Sequence, residues 1–273
     1  MAGRWLRSGT LYLVLYVGAV VMVLPFVFMV AGSFRPESEF LRTPERLLPT
    51  QPTAQAYLDI WTEIPFARLY LNSVVFACAV SGISLFLDSL AAYALARLRF
   101  RGRQLAFWVV LIVLMVPFQI TLIPLYVTVV QLGWLNTFFA LVVPRATNAF
   151  GIFLLRQFFV GIPRELDEAA RIDGASEWRI YRSVILPLAR PALATLFIFH
   201  FMFNWNDFLW PLTVTTSMEM RTLPAGLALL MGQHSTQHAL LLAGATLALL
   251  PLLIGFLVAQ RHFVRGIAMT GLK

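Results

Sequence analysis

Long apolar runs almost free of charge alternate with short polar stretches along the whole chain. Windows of roughly 20 residues, the length needed to cross the hydrocarbon core of a bilayer, place six apolar segments. They lie at about Leu11–Ala31, Leu71–Ala96, Leu105–Val130, Leu135–Phe159, Pro191–Val214 and Ala239–Ala259. The pattern predicts an all-α polytopic membrane protein with six transmembrane helices in a single domain, residues 1–273. Arg4 and Arg7 precede the first run as they would a secretory signal, but its apolar stretch exceeds the roughly 7–15 residues of a signal core. It is expected to remain as an uncleaved helix.

Between the first two runs, Gly32–Tyr70 carries Pro36, Pro44, Pro49, Pro52 and Pro65 among mixed charges. It reads as an ordered but largely irregular cap, too short for a domain of its own. Prolines also fall within the runs, at Pro25, Pro117, Pro124, Pro144, Pro211 and Pro251. There they remove backbone donors and kink helices, either as ordinary membrane-helix prolines or as hinges.

Composition agrees: 59% of the residues are hydrophobic and 12% charged, against about a quarter charged in soluble domains. The net charge of +8 does not point to nucleic acid, because the basic residues stand in short clusters between apolar runs. Fifteen of them lie before the first run, at Arg97–Arg103, at Arg156–Arg190 and in the C-terminal tail, whereas five lie at Arg35, Arg42, Arg46, Arg68 and Arg221. Positive loops stay in the cytoplasm, so both termini are expected there. The single Cys78 excludes an internal disulfide and a metal–thiolate site.

Candidate chemistry is sparse. The one Lys is Lys273, the last residue, so a phosphate-gripping P-loop is ruled out, and neither a nucleophile elbow nor a pocket of paired carboxylates is evident. No catalytic residue is expected, and energy for any pumping must come from a partner or an ion gradient. His234 and His238 have the i, i+4 spacing of helical metal ligands, but no Glu follows His234 and no third ligand is evident. A solvated loop is the preferred reading and no metal is expected.

The informative polar segment is the loop of about residues 161–190, between the fourth and fifth runs. Pro163 suits a first helical turn, and Glu165, Asp167 and Glu168 place negative charge at the positive end of a helix dipole. Gly174 can end that helix in a left-handed conformation, Ser176 can cap a second, and Pro187 closes the unit. Leu166, Ala169, Ala170 and Asp173 share one face of the first helix, and Trp178, Tyr181 and Ile185 form an apolar stripe on the second. Such a knob fits a groove on a partner, or packs on its own protein; the geometry alone leaves both open.

Glu168-Ala169-Ala170, then Gly174, then Leu186-Pro187 resembles the EAA loop of ABC importer permeases, with Val184 where that pattern has Ile. Asp173-Gly174-Ala175, the run Ala91–Arg97, Asn204–Asp207 and the tail Val264–Lys273 are similar to the carbohydrate-uptake, maltose-permease-like branch. The resemblance implies a type I ABC importer permease fold in a bacterial or archaeal inner membrane. It implies an assembly with a second permease, two ATPase subunits and an extracytoplasmic solute-binding protein, surrounded by membrane lipid. ATP and Mg would be used by the ATPases, with no cofactor on this chain. Glu168, Ala169, Ala170, Asp173, Gly174, Leu186 and Pro187 would then form the coupling helix that sits on the ATPase, and a sugar or sugar derivative is the implied cargo. Glycerol phosphate esters or another polar solute are the alternative cargo, and a gradient-driven secondary transporter the alternative class.

Of the ionisable groups within runs, Asp88, Arg145 and Asp207 stand out, since such groups are costly there and often functional, and Arg145 can pair with an acid across helices. Asn204, Trp205, Asn206 and Asp207 combine amides with an indole face, which suits a sugar's hydroxyls and C–H faces, and are the candidate cargo path. The competing reading puts the tryptophan in the interfacial aromatic belt and has Asp207 brace the second permease. Asp88 gives the gradient-driven alternative its foothold.

Overall fold

The computed structural model describes the backbone of residues 2–43, 45–46, 48–231 and 237–270 and the side chains of 11–43, 45–46, 48–231, 237–255 and 257. Helices dominate them: α1 (Ala2–Ser33), α2 (Glu37–Arg42), α3 (Gln55–Glu63), α4 (Phe66–Arg97), α5 (Arg103–Met115), α6 (Phe118–Gln131), α7 (Phe138–Val142) and α8 (Ala149–Val160). After these come α9 (Glu165–Ile172), α10 (Glu177–Ile180), α11 (Leu186–Leu188), α12 (Arg190–Trp205), α13 (Leu209–Val214), α14 (Leu223–Leu227) and α15 (His238–Thr270).

Three helices can cross a bilayer unbroken: Leu11–Ser33, Phe66–Arg97 and His238–Gly255. Three more spans are bent pairs. Arg103–Met115 meets Phe118–Gln131 at 99°, Phe138–Arg145 meets Ala149–Val160 at 41°, and Glu177–Leu188 meets Arg190–Trp205 at 79°. The six apolar runs thus correspond to up to six spans, but half are not straight rods. Pro117 accounts for the first bend: it forces the preceding Val116 into extended backbone (φ −81°, ψ 116°). Ala189, before Arg190-Pro191, marks the third, because Pro191 has no N–H to continue the ladder. Pro25, Pro124 and Pro251 stay inside continuous helices.

The chain divides into two compact units, Met1–Ala67 with Gly226–Leu250 and Arg68–Ala225 with Pro251–Lys273. In the first, α1 exposes apolar side chains all round, from Leu11 to Val30, a surface that only lipid or another apolar protein can cover. The segment expected to be an irregular cap contains α2 and α3. Its organiser is Arg35, fully buried, which donates to the carbonyls of Arg46 and Thr43 at 2.7 Å each and stacks 4.2 Å above the Phe40 ring. Glu37 accepts the Ala239 N–H at 2.9 Å and faces His238 Nδ1 at 2.9 Å, capping the start of α15; His234 lies outside the described residues.

Among the described residues of the second unit, two buried clusters bear on the site. One gathers Phe76, Val80, Val129, Leu141, Trp210 and Val214. The other joins Ala92, Tyr93 and Ala96 of α4 to Leu155 and Phe159 of α8, to Ile180, Tyr181 and Ile185, and to Leu196 of α12. That second cluster is the bed of the 161–190 segment.

Candidate functional site

The 161–190 segment folds as two helices about a glycine turn. Gly174 has φ +77°, a left-handed conformation that costs a residue with a Cβ. Its N–H donates to Arg171 O at 3.0 Å, and the Ala175 N–H reaches back to Ala170 O at 2.9 Å. These paired bonds are the Schellman closure of α9. Ser176 then accepts the Arg179 N–H at 3.4 Å and starts α10. Five residues of π-helix, Tyr181–Ile185, follow and lead into α11.

Polar contacts tie this hairpin to the end of α4. Arg97 Nη1 lies 3.4 Å from Asp167 Oδ2, and its Nη2 donates to Ile162 O at 2.8 Å. The pair is nearly sealed, with side-chain exposures of 1% and 4%. Burial pushes the Asp167 carboxyl above its ordinary pKa, against the opposing pull of Arg97 and Arg171. Tyr93 donates to Glu177 Oε2 at 2.7 Å, while Arg171 Nε donates to Glu177 Oε1 at 2.9 Å. Glu177 therefore joins both helices of the hairpin to α4. Ser89 and Tyr181 share a buried hydrogen bond of 2.7 Å.

The opposite side is bare. Leu166, Glu168, Ala169, Ile172, Asp173 and Trp178 are exposed, Ile172 at 86%. Of the remaining residues predicted to couple, Ala170 and Leu186 are half-buried on the core cluster, and Gly174 and Pro187 are exposed. The apolar stripe expected on the second helix is divided: Trp178 faces out, whereas Tyr181 and Ile185 are buried. One face of the hairpin thus packs on its own protein, and the other is left exposed with Leu166, Ile172 and Trp178 on it. A cleft of about 360 Å³ runs beside it, lined by Arg97, Arg99, Arg164, Asp167, Glu168, Arg171 and Glu177.

The predicted cargo-path residues do not share one open surface. Asn204 is buried and donates to His200 O at 2.7 Å; Trp205 is buried and stacks on Phe201 at 5.7 Å. Asp207 pairs within its own chain, with Arg145 Nη2 2.6 Å from its Oδ2, and its Oδ1 accepts the Trp210 N–H at 3.3 Å. Arg145 also lies over the rings of Phe118 and Phe203, at 4.5 and 5.3 Å. Asn206 alone of the four is exposed; its amide nitrogen donates to Met202 O at 2.8 Å.

Asp88, fully buried, stitches the break before α8: its Oδ1 accepts from Thr147 Oγ1 at 2.7 Å and from the Asn148 N–H at 3.0 Å. His200 Nε2 stands 3.9 Å from its other oxygen. A Cβ on Gly151 would overlap that oxygen, so glycine is what lets α8 approach the carboxylate. Sequence reasoning gave no role to Glu177 or His200 and no contact to Tyr93, Arg97 or Asp167. The Arg97–Asp167 link was open to it only as the first arginine of a basic cluster closing an apolar run and an acid in the first turn of α9.

Residues 89–269 match the family model described as the binding-protein-dependent transport system inner membrane component. The chain is 38% identical over 261 residues to the arabinooligosaccharides transport system permease protein AraQ of Halalkalibacterium halodurans, covering 93% of this chain and 92% of that protein. It is 33% identical over 268 residues to the sn-glycerol-3-phosphate transport system permease protein UgpE of Brucella abortus, covering 95% of each. A chain in the crystal structure of a bacterial ABC transporter involved in the import of the acidic polysaccharide alginate superposes with a TM-score of 0.84 at 25% identity. That match covers 96% of this chain and 98% of the other.

Proposed function

Because the chain belongs to the family of binding-protein-dependent transport system inner membrane components, we propose that its exposed hairpin couples it to a separate ATPase. Together with a second permease it then forms half of a translocation pathway for a sugar or sugar derivative, delivered by an extracytoplasmic binding protein. The observation that carries this reading is the pairing of a bare apolar knob with a buried anchor. Leu166, Ala169, Ile172 and Trp178 need a partner surface, and Arg97–Asp167 ties them to a spanning helix. Force applied to the knob is thereby delivered to α4 rather than absorbed by a loose loop. ATP and Mg belong to the partner's chemistry in this scheme, and this chain acts as one membrane domain. A carbohydrate cargo is supported by the arabinooligosaccharide relative and the alginate transporter. Asn206, exposed beside the Arg145–Asp207 pair, is the residue of its cluster offered to cargo.

Affinity purification of the tagged chain from its native membrane should bring down a second permease and an ATPase in stoichiometric amounts. Recovery of the chain alone, or uptake driven by a proton gradient without ATP, would overturn the assignment. The arginine asymmetry supports an orientation with both termini and the hairpin in the cytoplasm. In a Cys78→Ala background, cysteines at Gln51 and Gln237 should react with an impermeant thiol reagent in intact cells, and one at Ser176 should not. Labelling at Ser176 alone would invert the topology.

A further inference from the structure

We propose that Arg103 and Arg156 form a binding site for the phosphodiester of an anionic phospholipid, at the end of the α5–α8 helix pair. Arg103 opens α5 and Arg156 lies in the last turn but one of α8, two helices that pack together. The Arg156 guanidinium lies 3.7 Å above the Phe107 ring, and Phe107 stacks on Phe153 at 6.4 Å. The cation is thereby held in place by aromatic faces rather than by an acid.

Among the described residues no carboxylate pairs with either arginine, and Arg156 Nε is buried without a hydrogen-bond partner. Arg103 donates to Leu98 O at 3.1 Å and stands one helical turn before Phe107, the ring beneath Arg156. The first turn of α5 contains no acid and no side-chain cap, so its positive helix end adds to the field of the two arginines. Two guanidinium groups at the rim of an apolar layer without a carboxylate partner favour an anion there.

The surroundings say which anion. Leu105, Trp108, Val109 and Ile112 are 52–69% exposed along α5, an apolar strip that starts beside the cations. A headgroup phosphate on the arginines with acyl chains along that strip satisfies both at once. The guanidinium fork matches two phosphate oxygens. Arg156 is about 6 Å from the end of α8, within reach of the headgroup plane by snorkelling. The proposal rests on membrane insertion alone and is independent of cargo and of ATPase coupling.

The complex should be purified as wild type, Arg103→Gln, Arg156→Gln and the double variant, and phosphatidylglycerol counted per complex by mass spectrometry. Each charge should be worth roughly 5-fold in retention, so the double variant should retain about 25-fold less. Arg156→Lys should keep most of the lipid. Phosphatidylcholine retained as well as phosphatidylglycerol, or unchanged retention in the double variant, would overturn the site. Loss of the second permease with lipid unchanged would assign the arginines to a protein carboxylate instead. Should the variants fail to fold, the wild type in nanodiscs still decides. Brominated phosphatidylglycerol should quench Trp108 more than brominated phosphatidylcholine, with the difference lost in Trp108→Phe, and equal quenching would also refute the site. Inorganic phosphate should not displace the lipid; if it does, the site holds a free anion and the proposal fails.

Discussion

Asp207→Leu should sharply lower both the yield and the melting temperature of the protein, because it strands the Arg145 charge inside a spanning segment. The two side chains are 11% and 10% exposed and meet at 2.6 Å. Removing one member of such a pair costs about 3–5 kcal/mol, most of it the desolvation of the remaining charge. Part of the loss in Asp207→Leu comes from the Trp210 N–H, which loses its acceptor. Asp207→Asn keeps an acceptor there and isolates the ionic part. The paired change Arg145→Met with Asp207→Leu removes both charges at once and should recover most of the melting temperature. Thermal unfolding of the three purified variants beside the wild type checks this. A double variant as unstable as Asp207→Leu would mean that the stranded charge is not what destabilises the single variant.

That pair also shows how far the sequence can be read. Arg145 and Asp207 are separated by 62 positions, and hydropathy registers each only as an expensive residue in an apolar run. Within the chain Asp207 pairs with Arg145, because the turn after α12 brings it beside the end of the α7 segment. Span number was legible since it depends on apolar length alone. The bends were not, because only Pro117 among the prolines within the predicted runs breaks a helix outright, and the other breaks need Asp88 and Pro191 as well.

The hairpin was legible for a local reason: Gly174, Ser176 and Pro187 carry turn and cap chemistry in their own side chains or backbone. Its second face was misread for an equally local one. The stripe Trp178–Tyr181–Ile185 assumes 3.6 residues per turn, whereas Tyr181–Ile185 is π-helical. Tyr181 and Ile185 are buried in the core, whereas Trp178, its ring 5.3 Å from that of Tyr181, stays exposed beside them. The anchor of the hairpin, Arg97 to Asp167, joins residues 70 apart and has no signature of its own.

Gly174→Pro should abolish cargo-stimulated ATP hydrolysis in the reconstituted transporter and Glu168→Arg should sharply reduce it, by different routes. Proline fixes φ near −65°, while this position sits at +77°, and it removes the N–H that closes on Arg171 O. The turn must open, and the two helices it joins lose their fixed placement. Glu168 is exposed beside the charged cleft, so its reversal leaves the hairpin standing and changes only the charge offered to the ATPase. Misplacing one charge across an interface costs several kcal/mol, and each 1.4 kcal/mol is tenfold, so stimulation should fall at least roughly tenfold in Glu168→Arg. Both variants should insert and melt as wild type does in their spanning segments, since neither residue lies in one. The ATPase of Glu168→Arg should still be recovered with the complex at high subunit concentration, whereas Gly174→Pro should lose it throughout. Full stimulation in both would remove the hairpin from the coupling path and leave its apolar knob without a partner.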